Sequence, residues 1–207
     1  MKQRKAVFDR KSKETETIAT LNIDGRGETK IKTNIGILDH MLELFAFHGH
    51  FDLILEVKKA DLETGIHHTN EDVGIVLGKV FRDALGDMAG IRRFGSAFSP
   101  MEDTLGHAVV DISGRGHFKI GWSESFARAS LHDEDGYSFK ELTHFLDAFS
   151  KNLGANIIVT IQNPPDHTDL HTIMETVFKS LGLALDQATQ IDPRRKGAVP
   201  STKGIID

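Results

Sequence analysis

Much of this 207-residue chain is written twice. Residues 22–31, NIDGRGETKI, return as residues 111–120, DISGRGHFKI. Residues 38–47, LDHMLELFAF, return as LTHFLDAFSK at 142–151, and HHTNEDVGIVLGKVF at 67–81 returns as HTIMETVFKSLGLAL at 171–185. An internal repeat constrains a fold more than local propensity does, because each copy must leave an apolar face for its twin to cover. The first pair reads as strand, glycine-rich turn, strand. The other pairs carry apolar residues at helical spacing, Val73, Val76, Leu77 and Val80 against Val177, Phe178, Leu181 and Ala184. The apolar runs FDLILEV (51–57) and NIIVTI (156–161) read as strands. Each half is then strand, strand, helix, strand, helix. A two-layer α+β arrangement, an antiparallel sheet with helices on one face, buries those stripes. Halves this small are marginal alone. One domain, 1–207, is therefore expected, with halves of about 1–92 and 93–195 packed as a pseudo-symmetric unit and a tail at 196–207.

The repeat also carries chemistry. His40 and His144, His67 and His171, and Glu71 and Glu175 all stand 104 residues apart. The polar segment SESFARASLHDEDGY, which lengthens the second copy, reads as an exposed loop or hairpin tip. Residues i and i+4 share a helix face, so His67 with Glu71, and His171 with Glu175, can each hold an ion. His68 points elsewhere, and two separate ions account for the adjacent histidines better than one. Seven residues are candidate ligands: His40, His67, His68, Glu71, His144, His171 and Glu175. Imidazole and carboxylate donors suit manganese, iron, zinc or nickel. The absence of cysteine excludes disulfides, thiolate zinc sites and cysteine nucleophiles. The symmetry breaks at Thr172, the counterpart of His68 and a poor ligand. One site is expected to be weaker there, to take water, or to use nearby His167.

A net charge of −5 gives no basic excess for nucleic acid. No apolar run approaches the roughly 20 residues that span a bilayer, and the N-terminal MKQRKAVFDRKSKETE lacks the apolar core of a secretory signal. A cytoplasmic enzyme acting on a small molecule fits, with neither membrane nor nucleic acid as partner. Basic and hydroxyl residues gather at turns: Arg93 in IRRFG, Arg115 in SGRG, Lys179 in VFKS, and Ser201, Thr202 and Lys203 in PSTKG. Arginine forks, lysines, hydroxyls and free backbone N–H groups are what a phosphate needs.

Nearly end to end, the chain resembles imidazoleglycerol-phosphate dehydratase, an enzyme family of histidine biosynthesis. The likeness is carried by ILDHMLELFAFHGHFDL, HHTNEDVGIVLG, RFG followed by PMEDTLGHAVVDISGRG, ETVFKSLGLAL and VPSTKG. It implies an internally duplicated α+β unit of the ribosomal S5 domain 2 kind, each half a mixed or antiparallel four-stranded sheet with two helices. It implies two Mn2+ ions per chain on the seven ligands above, one site weakened by Thr172. It implies Arg93, Arg115, Lys179, Ser201 and Lys203 as the phosphate grip, with Thr202 beside them. Glu14 in KETET falls where the family has an acid–base carboxylate, and Glu14, His67, Glu71 and Glu175 form the implied catalytic set. A homo-oligomer of about 24 subunits built from trimers is implied as well. Four further departures accompany Thr172: Gly65 in place of an acidic residue, HTDLH without the usual glycine and asparagine, PMED for PMDE, and Leu44 for glutamine. They leave two other readings open. One is a divergent enzyme acting on another phosphorylated imidazole or hydroxy compound, and the other is a non-catalytic, metal-assembled shell.

Overall fold

The computed structural model describes residues 4–122, 131–164 and 168–206. The first half contributes strands β1 (Lys5–Lys11), β2 (Glu16–Asn22), β3 (Thr29–Lys32) and β4 (Asp52–Lys59), with helices α1 (Gly36–His48) and α2 (His67–Leu85). The second contributes β5 (Phe94–Met101), β6 (Thr104–Asp111), β7 (His117–Trp122) and β8 (Asn156–Gln162), with α3 (Phe139–Leu153) and α4 (Leu170–Thr189). The sheets have matching orders, β1-β2-β4-β3 and β5-β6-β8-β7. The duplicated α+β fold of two four-stranded sheets and four helices is thus present.

Two details differ from the plain reading of the repeat. Each half begins with a further strand. β1, KAVFDRK, turns only Ala6 and Phe8 toward the core and carries charges on its other face. β5 contains Gly95 and Pro100, which read as turn residues. The sheets are also mixed. β3 runs parallel to β4 and β7 parallel to β8, while the other pairs are antiparallel. The reason is the helix between each parallel pair: a crossover returns the chain in its original direction, which a tight hairpin cannot do.

Burial alternates along β2, β4, β6 and β8, so each sheet has one inner face. The helices cover those faces and meet across the halves, α2 against α3 and α1 against α4. At the centre Phe45 and Phe149, 104 residues apart, stand edge to face at 6.1 Å, and Phe81 packs against both. Two glycines, also 104 apart, set how closely the helices cross. A Cβ on Gly78 would lie 2.6 Å from the Phe149 carbonyl oxygen, and one on Gly182 closer still to that of Phe45.

Candidate functional site

The helix-to-helix packing brings each repeated His–Glu pair against a histidine from the other half. On α4, His171 and Glu175 share a face, and the α1–α4 contact places His40 there. Glu175 Oε1 lies 3.3 Å from His40 Nε2 and 3.2 Å from His171 Nε2. On α2, His67 and Glu71 form the same pair, with Nε2 to Oε2 at 3.7 Å, and α3 brings His144 to within 3.2 Å of His67 through their Nδ1 atoms. The two clusters are related by the repeat. They differ in shelter: the Glu175 side chain is 11% exposed and the Glu71 side chain 49%. A cavity of about 320 Å³ opens beside the second cluster, lined by His67, Glu71, Ile75, His144, Asp147 and Lys151 among others.

His68 belongs to neither cluster. Its Nδ1 lies 3.6 Å from Glu14 in the β1–β2 turn and 2.8 Å from Asp61 in the segment between β4 and α2. Asp61 and then Glu14 favour the charged imidazole and raise its pKa. That turn is tied to α2 by Asp72, which accepts hydrogen bonds from Arg10 Nε at 2.7 Å and from the Thr15 hydroxyl. Glu14 is thereby held beside His68 with its carboxylate open to solvent.

Thr172, the counterpart of His68, is buried, and its N–H donates to Asp169, which caps α4 at 2.7 Å. The residue matching Asp169 in the first half is Gly65, and α2 starts without a side-chain cap. The two helix starts have exchanged roles: one carries a helix cap, the other a histidine in a carboxylate nest. His167 lies outside the described residues, as do residues 123–130 of the inserted segment.

Arg93, Ser113, Arg115, Ser201, Thr202, Lys203 and Ile205 line a second, largely polar cavity of about 140 Å³. Arg93 sits in the left-handed backbone region, φ 77°. Its guanidinium forks onto Asp111, at 2.6 and 3.1 Å, and donates to the Pro200 carbonyl at 3.0 Å. That last bond docks the C-terminal tail against the second half. Lys179 does not line this cavity. It donates to Glu175 Oε2, one turn back on α4. Burial would push the Glu175 carboxyl up, but Lys179 and His40 more than offset it and hold the pKa below the ordinary value.

The repeat signal reached every residue it carries and none that it does not. Asp61, Glu134 and Glu141 all contact candidate histidines and lie outside the repeated motifs. Glu141 had a local signal: with Ser138 it forms the S-x-x-E pattern of a capping box, and Ser138 does cap α3. Three-donor groups that could hold an ion are His40, His171 and Glu175; His67, Glu141 and His144; and Glu14, Asp61 and His68.

Fold and site together define an enzyme with two histidine–carboxylate centres on a duplicated scaffold. The imidazoleglycerol-phosphate dehydratase family model matches residues 33–185. An imidazoleglycerol-phosphate dehydratase of Bacillus pumilus is 43% identical over 205 residues, 98% of this chain and all of that one. One of Pelobacter propionicus is 45% identical over 203 residues, 98% of this chain and 99% of its own. Among solved structures, the Pyrococcus furiosus enzyme in complex with (S)-C348 superposes with a TM-score of 0.77 at 34% identity, covering 96% of this chain and 99% of that one. The Staphylococcus aureus enzyme gives 0.73 at 26% identity, covering 90% and 100%. The chain belongs to the imidazoleglycerol-phosphate dehydratase family and is, with it, a hydro-lyase of histidine biosynthesis.

Proposed function

We propose that the chain dehydrates imidazole-glycerol phosphate to imidazole-acetol phosphate in the cytoplasm, with two divalent ions per chain, manganese foremost. One observation carries this: His40, His171 and Glu175 bring three donor atoms within 4.8 Å of one another, with Glu175 Oε1 at 3.3 and 3.2 Å from the two imidazole Nε2 atoms. Donors about 2.1 Å from a shared ion stand roughly that far apart. The donor set is all imidazole and carboxylate, which suits manganese, iron or zinc. His67, Glu71 and His144 would hold the second ion, and His68, which points away from both clusters, would serve an ion shared with another copy. A bound ion supplies Lewis-acid polarisation of the substrate and a template for its imidazole ring.

The chain's own residues do the rest. Arg115, Ser201, Thr202 and Lys203 bind the phosphate in the polar cavity, with Arg93 fixing the tail and one wall. Lys179 balances the charge of Glu175 and adds a cation for the phosphate. Glu14 takes the carbon-bound proton next to the departing hydroxyl, its carboxylate oxygen being solvent-facing and held by the Asp72-anchored turn. Among the described residues, the lining of the phosphate cavity includes no member of the His40 cluster, and Glu14 groups with Asp61 and His68 instead. A site completed by another copy, in a homo-oligomer of about 24 subunits built from trimers, accounts for this separation. A non-catalytic shell has no use for the phosphate cavity or for Glu14.

Metal-stripped protein should convert imidazole-glycerol phosphate only after manganese is returned. No product with manganese restored would contradict the proposal.

A further inference from the structure

Each repeated His–Glu pair is met from outside the repeat by one more carboxylate, and in both halves it faces the same ring nitrogen. His171 presents Nε2 to Glu175 at 3.2 Å and Nδ1 to Glu134 at 3.4 Å. His67 presents Nε2 to Glu71 at 3.7 Å and Nδ1 to Glu141 at 3.5 Å. Glu134 and Glu141 are not repeat mates. The position matching Glu141 in the first half is Ile37, and Glu134 lies in the inserted segment. Both come from one short stretch, residues 134–141, which is held firmly in place. Glu134 and Tyr137 bracket a two-residue turn with exchanged backbone hydrogen bonds at 2.9 and 2.8 Å, and Asp135 and Gly136 both have positive φ. The fully buried Tyr137 donates its hydroxyl to Asn70 Oδ1 at 2.7 Å, and Asn70 Nδ2 donates to the Glu141 carbonyl at 2.8 Å. Asn70 lies one turn past His67 on α2, so the stretch is fastened to the helix that bears the metal-binding pair. The Glu141 Oε2 atom is buried and has no hydrogen-bond partner within normal distance.

We propose that Glu134 and Glu141 are positioning residues: each accepts the Nδ1 hydrogen of its histidine, so that His171 and His67 present Nε2 beside Glu175 and Glu71. A carboxylate behind a ligating imidazole fixes its tautomer and raises its basicity. His144 Nδ1 also lies 3.2 Å from His67 Nδ1, and the carboxylate is the stronger acceptor of the two. The inference rests on the metal reading above and assigns one stretch of chain to the outer shell of both centres.

The test is manganese titration of metal-stripped protein, following free Mn2+ by electron paramagnetic resonance, for the unaltered chain and for E134A, E134Q, E141A and E141Q. Each alanine variant should weaken one of the two ions by about 10–100-fold and leave the other unchanged. Each glutamine variant keeps an acceptor for the Nδ1 hydrogen and should recover most of that loss. Unchanged affinity in the alanine variants overturns the proposal. So does equal loss in alanine and glutamine variants, which marks a direct ligand or a folding defect. No manganese uptake by the unaltered chain overturns the metal reading itself, and the inference with it.

Discussion

The centre around Glu175 and the centre around Glu71 are built from the same three residues at the same offsets, yet they are different environments. Around Glu175 the donors converge through Nε2 atoms onto one carboxylate oxygen, the carboxylate is nearly buried, and Lys179 neutralises it. Around Glu71 the carboxylate is half exposed, the position matching Lys179 is Ile75, and a cavity opens alongside. Duplication preserved the donors because they sit on the helix faces that also make the core. It did not preserve the surroundings, which are set by residues free to diverge. The helix starts show the same split: His68 in its carboxylate nest, Thr172 under the cap of Asp169.

The comparison breaks most forcefully at the two glutamates. E175A and E71A should each lower turnover by more than about 100-fold, beyond the range of an outer-shell partner. Steady-state assays of both check this. If E71A retains near-full activity, the open centre is not part of the active site. A smaller effect is expected at the crossings. G182A and G78A each place a Cβ against a backbone carbonyl that cannot move without shifting a helix. Each should destabilise the fold by roughly 1–3 kcal/mol, read from urea unfolding midpoints. A loss in only one of them would show that the halves do not pack as equivalents.

The smallest effect is at His68. In metal-free protein it should titrate above its ordinary 6.5, and D61N should lower that midpoint, as NMR of the imidazole protons would show. Because the folded pKa is raised, the stabilisation from charged His68 is complete below pH 6.5 and fades as pH rises through the folded value. An unshifted midpoint would mean that Asp61 and Glu14 do not act on it.

The sequence made the helices and the repeated donors legible because both obey a period: apolar residues at helical spacing, and a constant offset of 104 between His40 and His144, His67 and His171, Glu71 and Glu175. It hid β1 and β5, whose outer faces carry Lys5, Asp9, Phe94 and Ser96 and so blur the alternation that marks a strand. The parallel pairing of β3 with β4 and of β7 with β8 follows from chain direction across a helix and leaves no mark in composition. The outer carboxylates were hidden for a further reason. Asp61, Glu134 and Glu141 reach their histidines through turns and a helix start, and only tertiary packing places them there. The pairing of Lys179 with Glu175 was hidden in the same way, because its place among basic residues says nothing of the carboxylate one turn back on α4.

The most direct test of the central proposal, that both centres hold an ion although Thr172 stands where the first half has His68, is the number of manganese ions taken up per chain by metal-stripped protein. Thr172 belongs to none of the three-donor groups among the described residues, so two ions per chain are expected. A single ion per chain would contradict it and would mean that the likeness between the halves ends at the fold.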